Sequence, residues 1–169
     1  MKRNKTAVIG LGNYLMADEG VGLHALNLLE QKCRNLPVDL VEAGTCGMNL
    51  LHQFEERKKV IFLDGGNCNR KPGQFVRFHP DEVVSRKQLG RQSLHEFDLI
   101  EFLTLAKKLE KTEDVDIVIY CIQTQDIKMS DQLSQPVKNA LPIVVDKIYN
   151  ELAEDFTQLR QTQDDRGQQ

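Results

Sequence analysis

The sequence lacks the features of a membrane, secreted or nucleic-acid-binding protein. No apolar run approaches the length of a membrane span, and the basic stretch MKRNK at the N-terminus precedes too few apolar residues for a signal peptide. A net charge of -3 provides no overall positive field for nucleic acid, and no local basic patch replaces it. We therefore expect a cytoplasmic protein with no membrane or nucleic-acid partner.

Cysteine is present, but not in pairs that would build a disulfide framework or a zinc ribbon. The four cysteines are widely spaced and form no C-x-x-C motif: Cys33, Cys46, Cys68 and Cys121. Such spacing is typical of reduced thiols inside the cell. We therefore predict free and mostly buried cysteines.

Internal repeats and linkers are also missing. A chain of 169 residues, 40% of them hydrophobic, has the size of one globular domain with a substantial core. We predict a single α/β domain over residues 1–157, followed by a polar, disordered tail over residues 158–169.

Apolar runs alternate with stretches of helical periodicity along this domain. Apolar runs predict strands at 6–11, 58–64 and 115–122 and a weaker strand at 38–42, and the run at 58–64 is near-continuous, as expected of a strand covered on both faces. The alternation in QFVRF predicts an edge strand at 74–78. Helices are predicted from apolar stripes that start near Val21, Leu99 and Val137, with a short helical segment at 48–54. In the last helix, Pro142 indicates a kink or a start near Asn139.

This alternation favours a single three-layer α/β domain. We expect a five-stranded, mostly parallel twisted sheet with one antiparallel edge strand and with helices on both faces. In such sheets ligands bind at the carboxyl ends of the strands. The loops at 13–19, 44–47 and 64–67 follow the first three strands, so we expect them at one edge.

The glycine-rich stretch after the first strand does not complete a nucleotide-binding motif. Gly10 and Gly12 follow the strand, but Leu15 stands where a dinucleotide fingerprint has its third glycine, and the lysine of a P-loop is absent. The acids that follow have a simple structural interpretation, in which Asp18 caps the next helix and Glu19 is a first-turn acid. Asp64, at the end of the third strand, could likewise bond only its own turn or could act in catalysis.

One of the four histidines stands out as a candidate metal ligand. His24 and His52 are predicted within helices and His79 precedes a proline, whereas His95 lies in the first turn of a helix capped by the Ser93–Glu96 pair. The positive end of that helix favours a neutral imidazole, which can bind a metal. Glu19, Asp64 and His95 would together suit a borderline divalent ion with open coordination sites, if the fold brings them together.

Several motifs, in order, resemble those of the [NiFe]-hydrogenase maturation endopeptidases. The first is GLGNYLMADEGVG at residues 10–22, and the resemblance extends over nearly the whole chain apart from the tail. The later motifs are AGTCGM at 43–48, FLD at 62–64, SLH at 93–95, CIQ at 121–123, and the LS and LP pairs within 133–142.

The resemblance implies a function and a partner. Members of this family remove a C-terminal peptide from the hydrogenase large-subunit precursor after nickel has been inserted. It therefore implies that this chain is an endopeptidase, that its partner is that precursor, and that nickel arrives with the substrate. No organic cofactor is implied, and the oligomeric state stays open.

The resemblance also implies roles for individual residues. Glu19, Asp64 and His95 occupy the family's nickel-binding positions, with Asp64 or Glu19 as the general base. The substrate loops are those of Gly12, Asn13, Gly44, Thr45 and Gly47. Asp18 matches the adjacent acid and is predicted to cap the helix, while Cys46 stands where small residues are common.

Two alternatives from other classes stay open at this point. The chain could be a non-catalytic chaperone that senses nickel in the precursor. The GLGN strand exit also resembles peptidyl-tRNA hydrolases, although those are basic enzymes and usually have a proline after that asparagine. No Ser-His-Asp arrangement or H-E-x-x-H motif supports the commoner protease classes, and an aspartic dyad would need two adjacent carboxylates.

Overall fold

The computed structural model describes residues 3–45, 47–84 and 94–166. Five strands form one sheet in the order β2-β1-β3-β5-β4, and the first four of these are parallel. β4 pairs antiparallel with β5 and forms one edge. The strands are β1 (Thr6–Leu11), β2 (Val38–Gly44), β3 (Lys59–Gly66), β4 (Phe75–Phe78) and β5 (Asp116–Gln123). The predicted mostly parallel sheet with one antiparallel edge strand is confirmed.

The helical elements cover both faces of the sheet. They are a 3₁₀ turn (Ala17–Gly20), α1 (Val21–Lys32), a 3₁₀ helix (Met48–Phe54), α2 (Pro80–Val84), α3 (Leu94–Lys108) and α4 (Gln135–Arg166). α1 and α4 share one core with one face of the sheet, where Leu29 and Ile148 are completely buried. The 3₁₀ helix and α3 share the other core, in which the rings of Phe54 and Phe102 stack at 6.0 Å. The three-layer architecture is therefore confirmed.

The central strands are buried because helices cover them on both faces. Every residue of β1 is buried, and all of β3 except Lys59. β2 is only partly buried because it forms the opposite edge. The near-continuous apolar runs in the sequence follow directly from this double coverage.

α4 corrects two predictions. It begins at Gln135, with Pro142 inside it, so the alternative of a start near Asn139 is wrong and the alternative of a kink at Pro142 stays a prediction. Pro142 is on the exposed side, where water can bond the carbonyl group that a proline leaves unpaired, while Leu141 and Val144 hold the adjacent turns against the core. The helix also continues to Arg166, so residues 158–166 are helical rather than disordered. No glycine or proline interrupts the chain between Pro142 and Gly167.

The second half of α4 is attached to the sheet by partly buried charges. Glu151 accepts two hydrogen bonds from Arg77, at 2.9 Å each, and one from the Tyr120 hydroxyl at 2.6 Å. Lys59 lies 2.7 Å from Glu151 and 2.6 Å from Asp155. Burial raises the pKa of Glu151, but the hydrogen bonds from Arg77, Lys59 and Tyr120 outweigh it and lower the pKa to about 2.

The burial of the cysteines can be compared with the structure. Cys33 and Cys121 are buried, as predicted, and Cys68 is half-buried. Cys46 lies outside the described residues. Over residues 3–45, 47–84 and 94–166, no helix has both the length and the apolar character to cross a membrane.

Candidate active site

The order of the strands predicts a ligand-binding crevice at the carboxyl edge of the sheet. β2 lies on one side of β1 and β3 on the other, so the chain changes direction across the sheet after β2. α1 consequently packs on one face, and the 3₁₀ helix between β2 and β3 packs on the other. Open α/β sheets bind ligands at the point where the strand order reverses, which in this sheet lies between the carboxyl ends of β1 and β3.

Glu19 reaches this crevice because the chain turns back sharply after β1. Gly12 has a φ angle of +124°, and a β-carbon at this position would lie 1.8 Å from the carbonyl oxygen of Glu19. Only glycine permits both this backbone conformation and this close approach. The 3₁₀ turn Ala17–Gly20 follows, and Glu19 within it is buried, with 7% of its surface exposed.

Asp64 reaches the crevice from the adjacent strand. It lies near the end of β3, is 4% exposed, and its Oδ1 accepts a hydrogen bond from the amide of Gly65 at 2.8 Å. A β-carbon at Gly65 would lie 2.7 Å from the carbonyl oxygen of Asp18. The turn that carries Glu19 therefore packs directly against the end of β3. The structure thus brings the loops that carry the two predicted acids together at one edge of the sheet, while the roles of the acids stay predictions.

His95 belongs to the first turn of α3, and its side chain lies outside the part of the chain that the structure describes. The last turn of α3 lies near the amino edge, because Lys107 bonds Asp81, which follows β4 at that edge. A helix of 15 residues is about 22 Å long at 1.5 Å per residue. The start of α3 therefore points toward the carboxyl edge. Ser93 is not described, so the capping pair and the ligand role of His95 stay predictions.

The two predicted substrate loops meet at the same edge. The amide of Gly12 donates to the carbonyl group of Gly44 at 2.8 Å, which joins the ends of β1 and β2. Asn13 bonds its own loop, since its Oδ1 accepts the amide of Leu15 at 3.0 Å. Thr45 is exposed and Gly47 is half-buried beyond that junction. Their contact with substrate stays a prediction.

Tyr14 fixes the first loop against its surroundings. Its hydroxyl donates to Glu42 at 2.7 Å and accepts a hydrogen bond from Asn27 at 2.9 Å, and its ring contacts His24 edge-on at 5.2 Å. Burial and the hydrogen bond to Glu42 raise the pKa of Tyr14. This loop is therefore held to both β2 and α1.

Asp18 does not cap α1 as the sequence predicts. It is completely buried, and neither the 3₁₀ turn nor α1 has a side-chain cap. Its carboxylate instead accepts hydrogen bonds from the β5–α4 connection, at residues 124–134. The donors are the amides of Gln125 (2.8 Å), Asp126 (2.9 Å) and Ser134 (2.7 Å), and the Ser134 hydroxyl (2.7 Å).

These donors keep Asp18 ionised. Burial raises the pKa of its carboxyl group, but the hydrogen bonds from Asp126, Ser134 and Gln125 outweigh burial and leave the pKa below its ordinary value. The buried charge therefore links the loop after β1 to the loop after β5. The sequence contains one signal for this arrangement, since Ser134 followed by Pro136 is typical of a helix start, but it does not reveal the partner.

The other histidines lie in structural settings. His24 lies within α1, and burial lowers its pKa. His52 lies in the 3₁₀ helix beside Glu55, and the Nδ1 of His79 lies 2.9 Å from the carbonyl oxygen of Ile117. Among the side chains that the structure describes, no group of three or more His, Cys, Asp or Glu residues could hold a metal ion. The predicted nickel ligands include His95, so that set stays a prediction.

Comparisons with known proteins agree with this architecture. The family model described as hydrogenase maturation protease matches residues 23–151. The hydrogenase expression/formation protein HoxM of Cupriavidus necator is 31% identical over 142 residues, which cover 82% of this chain and 69% of that protein. HupD of Bradyrhizobium diazoefficiens is 28% identical over 156 residues, covering 89% and 79%.

A solved structure extends the likeness to three dimensions. The [NiFe] hydrogenase maturation protease HybD from Thermococcus kodakarensis superimposes with a TM-score of 0.74 at 25% identity. The match covers 88% of this chain and 99% of that one. The resemblance of the sequence motifs is thereby confirmed over nearly the whole domain.

Proposed function

Because this chain belongs to the hydrogenase maturation protease family, we propose that it removes a C-terminal peptide from a [NiFe]-hydrogenase large-subunit precursor. Family membership supports a peptidase and disfavours the peptidyl-tRNA hydrolase alternative. The observation that supports the proposal is the packing of the 3₁₀ turn that carries Glu19 against the end of β3, the strand that carries Asp64. A catalytic site is expected there in this fold.

In this proposal nickel belongs to the substrate. The precursor holds the ion by its own thiolates, and Glu19, Asp64 and His95 add oxygen and nitrogen ligands, a donor set that suits a borderline divalent ion. This shared coordination positions the scissile peptide bond beside the two acids. A precursor without nickel lacks that anchor, so cleavage follows metal insertion.

The hydrolytic step uses a carboxylate as general base. Asp64 or Glu19 takes a proton from water as the water oxygen bonds to the scissile carbonyl carbon. The proton then passes to the leaving amine nitrogen as the carbon–nitrogen bond breaks, which leaves a carboxylic acid and an amine. The hydrogen bond from the Gly65 amide holds the Asp64 carboxylate in one orientation for this role.

Mass spectrometry of the large subunit tests the proposal. Wild-type protein should shorten a nickel-loaded precursor and leave a nickel-free precursor intact. Asp64→Asn, Glu19→Gln and His95→Ala should each reduce the cleavage rate by at least about 100-fold, because each removes a proposed ligand or base. Asp131→Asn is the matched control, since Asp131 is an exposed acid at the same edge.

The same experiment separates the chaperone alternative. A chaperone would bind the nickel-loaded precursor and leave its mass unchanged. If all three variants still produce mature-length subunit at the wild-type rate, the assignment of the site is wrong.

A further inference from the structure

Exposed apolar side chains cluster on the loops around the crevice. Among the described residues, seven large apolar side chains are exposed, and three lie away from this edge, on or just after α3 and on α4: Leu105, Leu109 and Ile143. The other four lie at the carboxyl edge, three on loops and Met48 at the start of the 3₁₀ helix: Leu15 (64% exposed), Met48 (56%), Ile127 (56%) and Met129 (89%). Scattered exposed apolar residues are normal, so their concentration beside one site is the informative feature.

Three of these side chains lie on two loops that are hydrogen-bonded together. The amide of Ser130 donates to the carbonyl group of Leu15 at 2.9 Å, and the amide of Ala17 donates to that of Ser130 at 2.7 Å. These bonds bring the backbone beside Met129 against the loop that leads to Glu19. We use the term apolar rim for Leu15, Ile127 and Met129.

The rim is held in place by the buried Asp18. Its carboxylate accepts amide hydrogen bonds from Gln125 and Asp126, immediately before Ile127, and from Ser134 at the end of the same connection. The amide of Asp18 also donates to the carbonyl group of Asp126 at 3.1 Å. The backbone of the rim is therefore ordered before any partner arrives, which removes part of the entropy cost of binding.

The chemistry of the rim favours an apolar partner. The charges nearest to Ile127 largely cancel, because Lys128 lies 3.2 Å from the carboxylate of Asp126. Leu, Ile and Met together present branched and flexible surfaces, and methionine adapts well to irregular apolar partners. A peptidase must bring a protein segment to its catalytic residues, and the rim adjoins the turn that carries Glu19.

We propose that the apolar rim is the docking surface for an apolar segment of the protein substrate next to its cleavage site. This inference rests on the proposed function, which supplies the protein substrate. The rim contributes binding and not chemistry, because its side chains carry no proton donor, acceptor or metal ligand suited to the reaction. It therefore acts on the KM for the precursor.

Steady-state cleavage of the precursor tests the rim. The triple variant Leu15→Ser, Ile127→Ser and Met129→Ser should raise the KM about 30-fold and leave kcat within about 2-fold, as expected when interface side chains are truncated. Each single change should raise the KM by about 3- to 10-fold. Because all three side chains are exposed, thermal unfolding should match that of the wild type.

Ile143→Ser is the matched control. Ile143 is 63% exposed on α4, away from the rim, so its replacement should leave both KM and kcat unchanged. An unchanged KM in the triple variant would overturn the proposal that the rim binds substrate. If the oligomeric state also changes while the KM does not, the rim is instead a contact surface for a second copy of this chain.

Binding of the nickel-loaded precursor to immobilised protein separates this inference from the proposed function. If wild-type protein binds the precursor without shortening it, and the triple variant binds it about 30-fold more weakly, the docking role of the rim is supported and the peptidase proposal is contradicted. If wild type cleaves but the triple variant binds and cleaves equally well, the rim fails alone. If wild type neither binds nor cleaves, both fail.

Discussion

Two carboxylates, the completely buried Asp18 and the half-buried Glu151, are stabilised in different ways. Asp18 lies at the carboxyl edge of the sheet and accepts hydrogen bonds from neutral donors, three backbone amides and a serine hydroxyl. Glu151 lies nearer the amino edge, where its partners include the cations of Arg77 and Lys59. The first acid holds two loops beside the candidate site, and the second holds the far half of α4.

The difference shows how the fold separates stability from positioning. The ion pairs of Glu151 with Lys59 and Arg77 and its hydrogen bond from Tyr120 connect β3, β4 and β5 to α4, so they contribute to the stability of the whole domain. The bonds of Asp18 connect the loops that carry Glu19 and the apolar rim, so their main effect is on the geometry of the site. Substitutions at the two positions should therefore affect different measurements.

The largest expected effect is that of the substitution Asp18→Asn on precursor cleavage. An amide group cannot accept all four hydrogen bonds, and its NH₂ group would face backbone amides, so the loops should lose their fixed arrangement. We expect precursor cleavage to fall about 100-fold, with kcat falling and KM rising, as a 1 Å displacement of reacting groups can cause. Single-turnover kinetics measures this change.

Asp126→Asn is the control for that variant. The Asp126 side chain lies in the same connection and pairs with the nearby Lys128, while its backbone makes the bonds to Asp18. Cleavage should stay within about 2-fold of wild type, as for most surface substitutions. Equal losses of cleavage in Asp18→Asn and Asp126→Asn would show that any change in this connection impairs cleavage. The positioning role assigned to Asp18, in contrast to Glu151, would then be wrong.

The next largest expected effect is that of the substitution Glu151→Gln on the free energy of unfolding. This variant leaves the cations of Arg77 and Lys59 without their shared partner, although Lys59 keeps Asp155. We expect a loss of about 3 kcal/mol in the free energy of unfolding, measured with denaturant, because breaking a buried pair costs 3–5 kcal/mol and this one is partly accessible to water. At a temperature where the variant is folded, kcat should equal that of wild type. A loss of activity without a loss of stability would contradict this.

The smallest expected effect is a change in the pH dependence of the free energy of unfolding. The folded pKa of Glu151 lies at about 2, below its ordinary value of 4.5, so its contribution to stability is present above pH 4.5 and is lost as pH falls toward 2. Unfolding measured between pH 6 and pH 2 should therefore depend less on pH in Glu151→Gln than in wild type. Parallel curves for the two proteins would show that the carboxylate is not stabilised by folding.

Local pattern predicts the central part of the fold well. The bounds of β1 are those predicted, because a strand covered on both faces must be apolar throughout. Of the two alternatives at Pro142, the start near Asn139 does not occur, and residues 158–166 are helical where the polar composition predicts a disordered tail. In both cases a local signal, a proline or a polar composition, was outweighed by packing on the core or by the absence of any helix-breaking residue.

The candidate site is only partly predictable from local pattern. The acids after β1 and β3 stand out because strand ends are recognisable, and parallel strands end at one edge. The role of Asp18 does not stand out. Its position before a helix is equally typical of a cap, and its donor Gln125 is 107 residues away in the chain.

The amino-acid sequence by itself determined the strands, the class of fold and which acids follow the strand ends, because hydrophobic periodicity and glycine positions act over a few neighbouring residues. Only the tertiary structure decided which loop Asp18 binds and that the exposed Leu15, Ile127 and Met129 form one rim. Those relations depend on hydrogen bonds between distant segments. Such bonds leave no periodic trace in the chain.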